Sequence, residues 1–182
     1  MAAPPDRRTP DRRTIYPGRI VDLGLETTTL PDGRTVDLEI IRHPGAAAIV
    51  PVHTDGTVTL VHQHRHAAGG MIYEVPAGVL DDGELPMACA IRELAEEVQL
   101  AGQLTPLGCI HTTPGFTDER IWLFLATELG PADARPEEDE YIEVVRIPFQ
   151  TALAMTTDGR ITDAKTICAL HLAATAMAAD RP

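Results

Sequence analysis

Apolar residues along the chain fall in two rhythms: short runs of the kind that strands bury, and two longer stretches with helical spacing. RIVDLGLE (19–26) and TVDLEIIRH (35–43) flank Pro31-Asp32-Gly33, a turn triplet, and so predict an antiparallel hairpin. AAAIVPV (46–52) is nearly unbroken, and TVTLVHQH (57–64) follows it after Thr54-Asp55-Gly56; at that length both suit buried strands better than helices. Further extended segments are predicted at 72–75, 110–113, 121–127 and 141–147. Helical spacing is confined to about 86–98 and 163–177. Strands, helix, strands, helix is not the order of a regular βαβ array, so the expected class is α+β, a layered domain with mixed strands.

Composition changes this picture at the ends and in the core. Residues 1–16 open with prolines among charged residues and little to bury, which predicts a disordered arm; GPADARPEE (130–138) predicts an acidic loop. Three Phe, one Trp and three Tyr in 182 residues leave the core to Val, Ile, Leu and Ala. Fifteen Lys+Arg against 27 Asp+Glu give a formal net charge of −12, a balance that disfavours nucleic acid, whose phosphates need clustered cations. Cys89, Cys109 and Cys168 are odd in number with no CxxC spacing, so neither a disulfide framework nor a thiolate zinc site is expected. With no apolar run of membrane length and no apolar leader, the expectation is a soluble cytoplasmic protein with no membrane partner.

The acidic excess has a local focus. At about 100° per residue, Met87, Ile91, Leu94 and Val98 fall within one narrow stripe, the predicted buried face, while Glu93, Glu96 and Glu97 share a different face. Two readings are open on the helix alone. Acidic runs are commonly solvated faces, and like charges at this spacing cost only about 0.2–0.5 kcal/mol per pair. Carboxylates one helical turn apart also reach a single hard cation such as Mg²⁺ or Mn²⁺.

The residues upstream decide between them. Gly78, five residues, Glu84, seven residues and then Arg92-Glu93-Leu94-Ala95-Glu96-Glu97 closely resemble the Nudix box, the signature of hydrolases that act on a nucleoside diphosphate linked to another moiety. At ordinary residue usage the fixed positions match by chance about once in 10⁸ starts. Within the family the chain resembles the ADP-ribose pyrophosphatase group, through HPGAAAIVPV, VHQHR, YEVPAG and PGFTDE. The box ordinarily ends in Gly where this chain has Gln99; if the backbone there needs positive φ, Gln costs about 1–2 kcal/mol.

The resemblance implies a Nudix α/β/α sandwich over 44–182, preceded by a small N-terminal antiparallel sheet over 17–43 that mediates a homodimer. It implies that Glu93 and Glu97 bind divalent metal with help from Glu96 and the carbonyl of Ala77, and that Gly78, Glu84 and Arg92 support them, Arg92 and Glu84 as an ion pair. Arg65 is the implied phosphate contact, and Pro114, in a loop after the box, is a further implied substrate-binding residue. Glu74 and Glu119 stand as second-site ligands or substrate contacts, or else as buried paired residues. The base that takes the water proton comes from a late loop, with Glu140 the first choice and Glu138 the second. The implied reaction is Mg²⁺-dependent hydrolysis of ADP-ribose to AMP and ribose 5-phosphate, with Mn²⁺ as a substitute ion and a small nucleoside diphosphate as the partner.

Rival expectations are a nucleotide-sugar pyrophosphatase of the GDP-mannose type and a non-catalytic ADP-ribose-sensing module. Tyr16, Tyr73 and Phe116 are the candidates to stack on a base. His62, His64 and His66 alternate, and packing or solvation is expected of them in preference to zinc binding.

Overall fold

The computed structural model describes residues 11–134 and 141–179. Three sheets are formed. The N-terminal one is antiparallel, in the order β1 (Arg12–Pro17), β2 (Asp22–Thr29), β3 (Thr35–Arg42). A second antiparallel sheet has β10 (Ile142–Pro148), β5 (Thr57–Arg65) and β6 (Gly70–Glu74), and the third runs β7 (Ala77–Val79), β4 (Ala46–Pro51), β9 (Arg120–Pro131), β8 (Leu100–His111). In the third sheet β4 and β9 pair in parallel, whereas β4–β7 and β8–β9 are antiparallel, so that sheet is mixed.

The unbroken run 46–52 has a physical explanation in the two packed faces of β4. Ala46, Ala48 and Val50 face a core with α2 (Phe149–Thr157) and α3 (Ala164–Ala179), where Phe149, Ala152, Met155, Ala169 and Leu170 are buried. Ala47 and Ile49 face the opposite core, with Cys89, Ala90 and Leu94 of α1 (Pro86–Val98). Strand β9 divides likewise, Ile121, Leu123 and Leu125 to one side and Trp122, Phe124 and Ala126 to the other. A strand covered on both faces loses its polar alternation. The α+β layered class expected from the element order is the fold found: helices on both faces of a mixed sheet.

Four local expectations are corrected. Residues 12–16, expected to end a disordered arm, form β1 together with Pro17, in a register that runs from Arg12↔Glu26 to Pro17↔Asp22; pairing with β2, not apolar burial, orders them. The short strand expected at 110–113 is the end of the twelve-residue β8, whose pattern is broken by Gly102, Pro106 and Gly108 and by two register shifts. Helix α2 lies where no helix was expected. On α1 the buried face is turned from the predicted stripe: Pro86, Cys89, Ala90, Glu93, Leu94 and Val98 are buried and Ile91 is 55% exposed. Rotation brings Glu93 inward because β7, the element it meets, offers a glycine there.

Candidate active site

The chain from β7 into α1 builds the site. Pro86 occupies the first turn, where its missing N–H is not needed. Gly78 lies directly beneath the Glu93 carboxylate: a Cβ at position 78 would come within 1.8 Å of Glu93 Oε1 and 2.0 Å of Cδ, so no other residue fits without displacing Glu93. The backbone N–H of Ala77 donates to Glu97 Oε2 at 3.0 Å. Glu93 and Glu97, one helical turn apart, are thus both drawn against the backbone of β7.

Arg92 holds the rest together. It donates to Glu84 through Nε (3.1 Å) and Nη2 (3.0 Å), to Glu93 Oε1 through Nη1 (2.5 Å), to Glu96 Oε2 through Nη1 (3.1 Å) and to the Val79 carbonyl through Nη2 (3.1 Å). Glu84 Oε2 also accepts from the Asp81 N–H at 3.0 Å, which closes the loop before the helix. The hydrogen bond from Arg92 holds the Glu84 carboxyl below its usual range, and Glu84 in turn raises the guanidinium pKa. Burial, reinforced by Glu93 and Glu84, pushes the Cys89 thiol up to about 12, so it stays protonated and packs as an apolar group.

These groups open onto a cleft of about 780 Å³, lined also by Arg19 and Ile20, by His43 and Pro44 after β3, by Arg65, and by Ile142 and Val144 of β10. Of the residues singled out from sequence, Arg65, Ala77, Gly78, Arg92, Glu93, Glu96 and Glu97 line this one cleft, and Glu84 joins it through Arg92. Arg65 donates to Glu74 from Nε (2.8 Å) and Nη2 (3.0 Å). Glu74 is 2% exposed, pairs also with Lys165, and lies outside the cleft lining. Burial presses its pKa up, but Arg65 and Lys165 together outweigh that and hold it below the usual range.

The PGFTDE segment is set apart. Pro114 lines a second, smaller groove against the N-terminal sheet. Glu119 accepts from the Thr112 hydroxyl at 2.7 Å and sits 3.6 Å from His43 Nε2, its link to the main cleft. Glu138, Asp139 and Glu140 lie outside the described residues. His62 stacks on Tyr73 at 4.3 Å between ring centroids. Sequence reasoning missed Arg19, Ile20, Ile142 and Val144 as cleft residues. Arg19 and Ile20, expected to open the strand 19–26, lie in the turn between β1 and β2, and β10 reads only as a strand.

Among the described residues no three His, Cys, Asp or Glu side chains converge on one point as a metal cluster. Arg92 holds Glu93 and Glu96, and Ala77 holds Glu97. The donor set nonetheless fits a hard divalent cation: every candidate donor is an oxygen, the carboxylates outnumber the single guanidinium among them, and the missing Cβ of Gly78 keeps the backbone approach open.

Comparison with known proteins agrees with this geometry. The model of the NUDIX domain matches residues 42–170. An ADP-ribose pyrophosphatase of Bacillus subtilis is 38% identical over 169 residues, covering 91% of either chain. A methanol dehydrogenase activator of Bacillus methanolicus is 36% identical over the same span and coverage. A GDP-mannose pyrophosphatase of Yersinia pestis is 39% identical over 143 residues, 72% of this chain and 71% of that one. A solved structure described as an ADP compounds hydrolase superposes with a TM-score of 0.80 at 22% identity, covering 93% of both chains. The chain belongs to the NUDIX family, and its fold is that of the family's hydrolases. Among the described residues, no helix is long and apolar enough to cross a membrane.

Proposed function

We propose that the protein hydrolyses the diphosphate of ADP-ribose to AMP and ribose 5-phosphate, with Mg²⁺ as the ion and Mn²⁺ as a substitute. The observation that carries this is that Glu93 and Glu97, drawn against the Ala77–Gly78 backbone, line with Glu96 a cleft whose volume is that of a small-molecule site. The Bacillus subtilis relative, similar over nearly the whole chain, supports the substrate.

In this reading Glu93 and Glu97 hold the ion, Glu96 and the Ala77 carbonyl assist, and Arg92 orients the carboxylates from behind. A divalent ion held by these carboxylates would supply neutralisation of the diphosphate charge and polarisation of its phosphoryl oxygens. Water adds at one phosphorus, the bond from that phosphorus to the bridging oxygen breaks, and the second phosphate leaves with that oxygen. The proton goes to a carboxylate of the late loop, with Glu140 the first candidate and Glu138 the second. Arg65, held by both oxygens of Glu74, lines the cleft as the candidate phosphate contact.

A nucleotide sugar is the second reading, favoured by the Yersinia relative. Retention of all three box glutamates weighs against a sensing module without turnover. Product analysis after incubation with Mg²⁺ and, separately, ADP-ribose, ADP-glucose, GDP-mannose and NADH is the test. AMP and ribose 5-phosphate from ADP-ribose, at the highest kcat/KM of the set, are expected; a clear preference for GDP-mannose overturns the choice. The cell compartment is proposed to be the cytoplasm. We also propose a homodimer through the N-terminal sheet, supported by exposed Ile15, Tyr16, Val21, Leu38 and Phe116. Light scattering at micromolar concentration should give twice the chain mass.

A further inference from the structure

Of the chain's 15 Lys+Arg residues only Lys165 is a lysine, and it is not spread on the surface as most lysines are. It lies in the first turn of α3 with a side chain 14% exposed. Its Nζ donates to Glu74 Oε2 and stands 3.1 Å from Asp163 Oδ2. Glu74 Oε2 also accepts from Arg65 Nη2, and Glu74 Oε1 from Arg65 Nε. One buried carboxylate thus joins a lysine of α3 to an arginine that lines the cleft, while Lys165 itself lies outside the cleft lining.

Fastening α3 to the sheet does not account for the lysine. The buried Thr166 hydroxyl accepts from the Val75 N–H at 2.9 Å, and Ala169, Leu170 and Ala173 are packed in the core. Asp163 caps the helix, its Oδ2 accepting from the Thr166 N–H at 2.9 Å and from the Thr166 hydroxyl at 2.6 Å. What Lys165 adds is charge at Glu74. Arg65 and Glu74 alone make a neutral pair, and a cation neutralised at contact attracts an anion farther off only weakly. With Lys165 on the same carboxylate, the three groups keep one positive charge. Asp163, the carboxylate on the other side of the lysine, sits at the N-terminus of α3, where the helix dipole offsets part of its charge.

We infer that Lys165 is a positioning residue for the diphosphate: acting through Glu74, it keeps Arg65 in place and net attractive to the substrate phosphates without touching them. This rests on the diphosphate hydrolase reading above, with Arg65 as the phosphate contact. Glu74 is the shared element. Burial favours its neutral form, and two cations keep it ionised, so that it holds Arg65 by two donors at once. A compact ammonium suits this place because it meets Glu74 and Asp163 together, leaving the planar guanidinium for the cleft side.

The test measures turnover of ADP-ribose with Mg²⁺, and calorimetric binding of its α,β-methylene analogue, in the parent full chain and in Lys165→Gln, Lys165→Arg and Arg160→Gln. Arg160 is exposed and outside the cleft lining, so its variant controls for the change in overall charge. Lys165→Gln should raise KM and Kd about tenfold, with kcat within about threefold. Lys165→Arg should recover most of that loss, and Arg160→Gln should match the parent. In an Arg65→Gln background, Lys165→Gln should add less than about twofold, because the route through Arg65 is already broken. Parent-like KM and Kd in Lys165→Gln overturn the inference, as do effects that multiply in the double variant. A sole lysine also gives a single side-chain signal. In protein labelled with ¹³C,¹⁵N-lysine, the Lys165 Cε–Nζ resonance should move on saturation with the analogue in the parent and stay in place in Arg65→Gln. This readout needs no substitution at position 165, so it decides the question even where Lys165→Gln fails to fold; an unmoved signal in a parent that binds the analogue overturns this inference alone. If the parent prefers GDP-mannose, the substrate assignment fails and the same kinetic comparison on GDP-mannose decides Lys165, because both substrates present a diphosphate. A parent that binds neither overturns both.

Discussion

Two arginine-centred networks in this molecule look alike in composition and differ in balance. At the box, one guanidinium, Arg92, faces Glu84, Glu93 and Glu96, with Asp81 at 3.9 Å. At the joint between the N-terminal sheet and the main domain, Arg12 and Arg42 share Glu26, and each takes one further carboxylate, Asp22 and Asp118. The joint is nearly neutral: two cations meet three carboxylates, of which Asp22 is 46% exposed and solvated. The box is deeply in deficit of positive charge. A balanced network satisfies itself and serves as structure, whereas a surplus of carboxylate leaves negative charge that a bound cation would offset. Surplus carboxylate, more than the mere presence of an acidic cluster, separates a cation site from a clamp.

The sharpest way to break that distinction is Glu97→Gln, which keeps size and the acceptor for the Ala77 N–H but removes charge. Turnover with Mg²⁺ should fall by about a hundredfold or more, with the unfolding midpoint unchanged or raised, since repulsion in the nest is relieved. Steady-state kinetics and thermal melts on the same preparation check both halves. Full Mg²⁺-dependent turnover would mean that the charge surplus is incidental.

Gly78→Ala addresses the same region through space instead of charge. The added Cβ overlaps the Glu93 carboxylate, and overpacking of this kind costs about 1–3 kcal/mol. Displacing Glu93 should also cut turnover about tenfold or more. Denaturant unfolding and kinetics should therefore both move, unlike in Glu97→Gln.

At the joint the prediction reverses. Glu26 is 5% exposed and bridges both arginines. Glu26→Gln should destabilise the fold by about 2 kcal/mol, less than the ~3–5 kcal/mol of a fully buried pair because Arg42 keeps contact with water and with Asp118. kcat at saturating substrate should stay near that of the parent. A loss of kcat comparable to that of Glu97→Gln would show that the joint is part of the chemistry.

Acid unfolding sharpens the comparison with a third network. Glu74 is held below the usual carboxylate range by Arg65 and Lys165 against the opposing effect of burial. A carboxyl whose folded pKa is depressed contributes stability above its unfolded pKa, about 4.3 for Glu, and loses it as pH falls through the lower folded value. The melting temperature should hold down to the ordinary carboxylate range and drop below it. In Glu74→Gln the drop should be shallower.

How far the sequence discloses such networks depends on whether the partners are local. The box residues lie within twenty positions of one another, so spacing alone brings Gly78, Glu84, Arg92 and Glu97 together, and the layered α+β class followed from the order of the runs. What the spacing misplaced was the rotation of α1: apolarity put Ile91 inside, whereas packing against β7 buries Glu93 and exposes Ile91. The joint was illegible because Arg42 and Asp118 are 76 residues apart and neither stands out in its own segment. Arg65 and Glu74 were both noticed, but their pairing across the β5–β6 hairpin depends on register, which apolar alternation does not reveal. Arg19 was misplaced because the apolar run 19–26 read as strand from its first residue, whereas β2 begins only at Asp22.

The smallest effect should come from Gln99, at the end of the box helix. The structure puts it at φ 55°, ψ 38°, in the left-handed region, with its N–H bonded to the Ala95 carbonyl at 3.0 Å. The helix thus ends as it would with glycine, and the chain accepts the strain of an L side chain instead of altering the turn. Strand β8 starts at Leu100, directly after the cap, and its register with β9 from Leu100↔Pro131 fixes the geometry that the cap must adopt. Gln99→Gly should therefore stabilise the protein, by about 1 kcal/mol at most, because relief of the left-handed strain is partly offset by the extra freedom of glycine in the unfolded chain. Since the side chain borders the cleft but holds none of the box carboxylates, kcat should be unchanged while the unfolding midpoint rises. A fall in kcat would instead mark Gln99 as a substrate contact, and would move the boundary of the unbalanced region one turn beyond the helix.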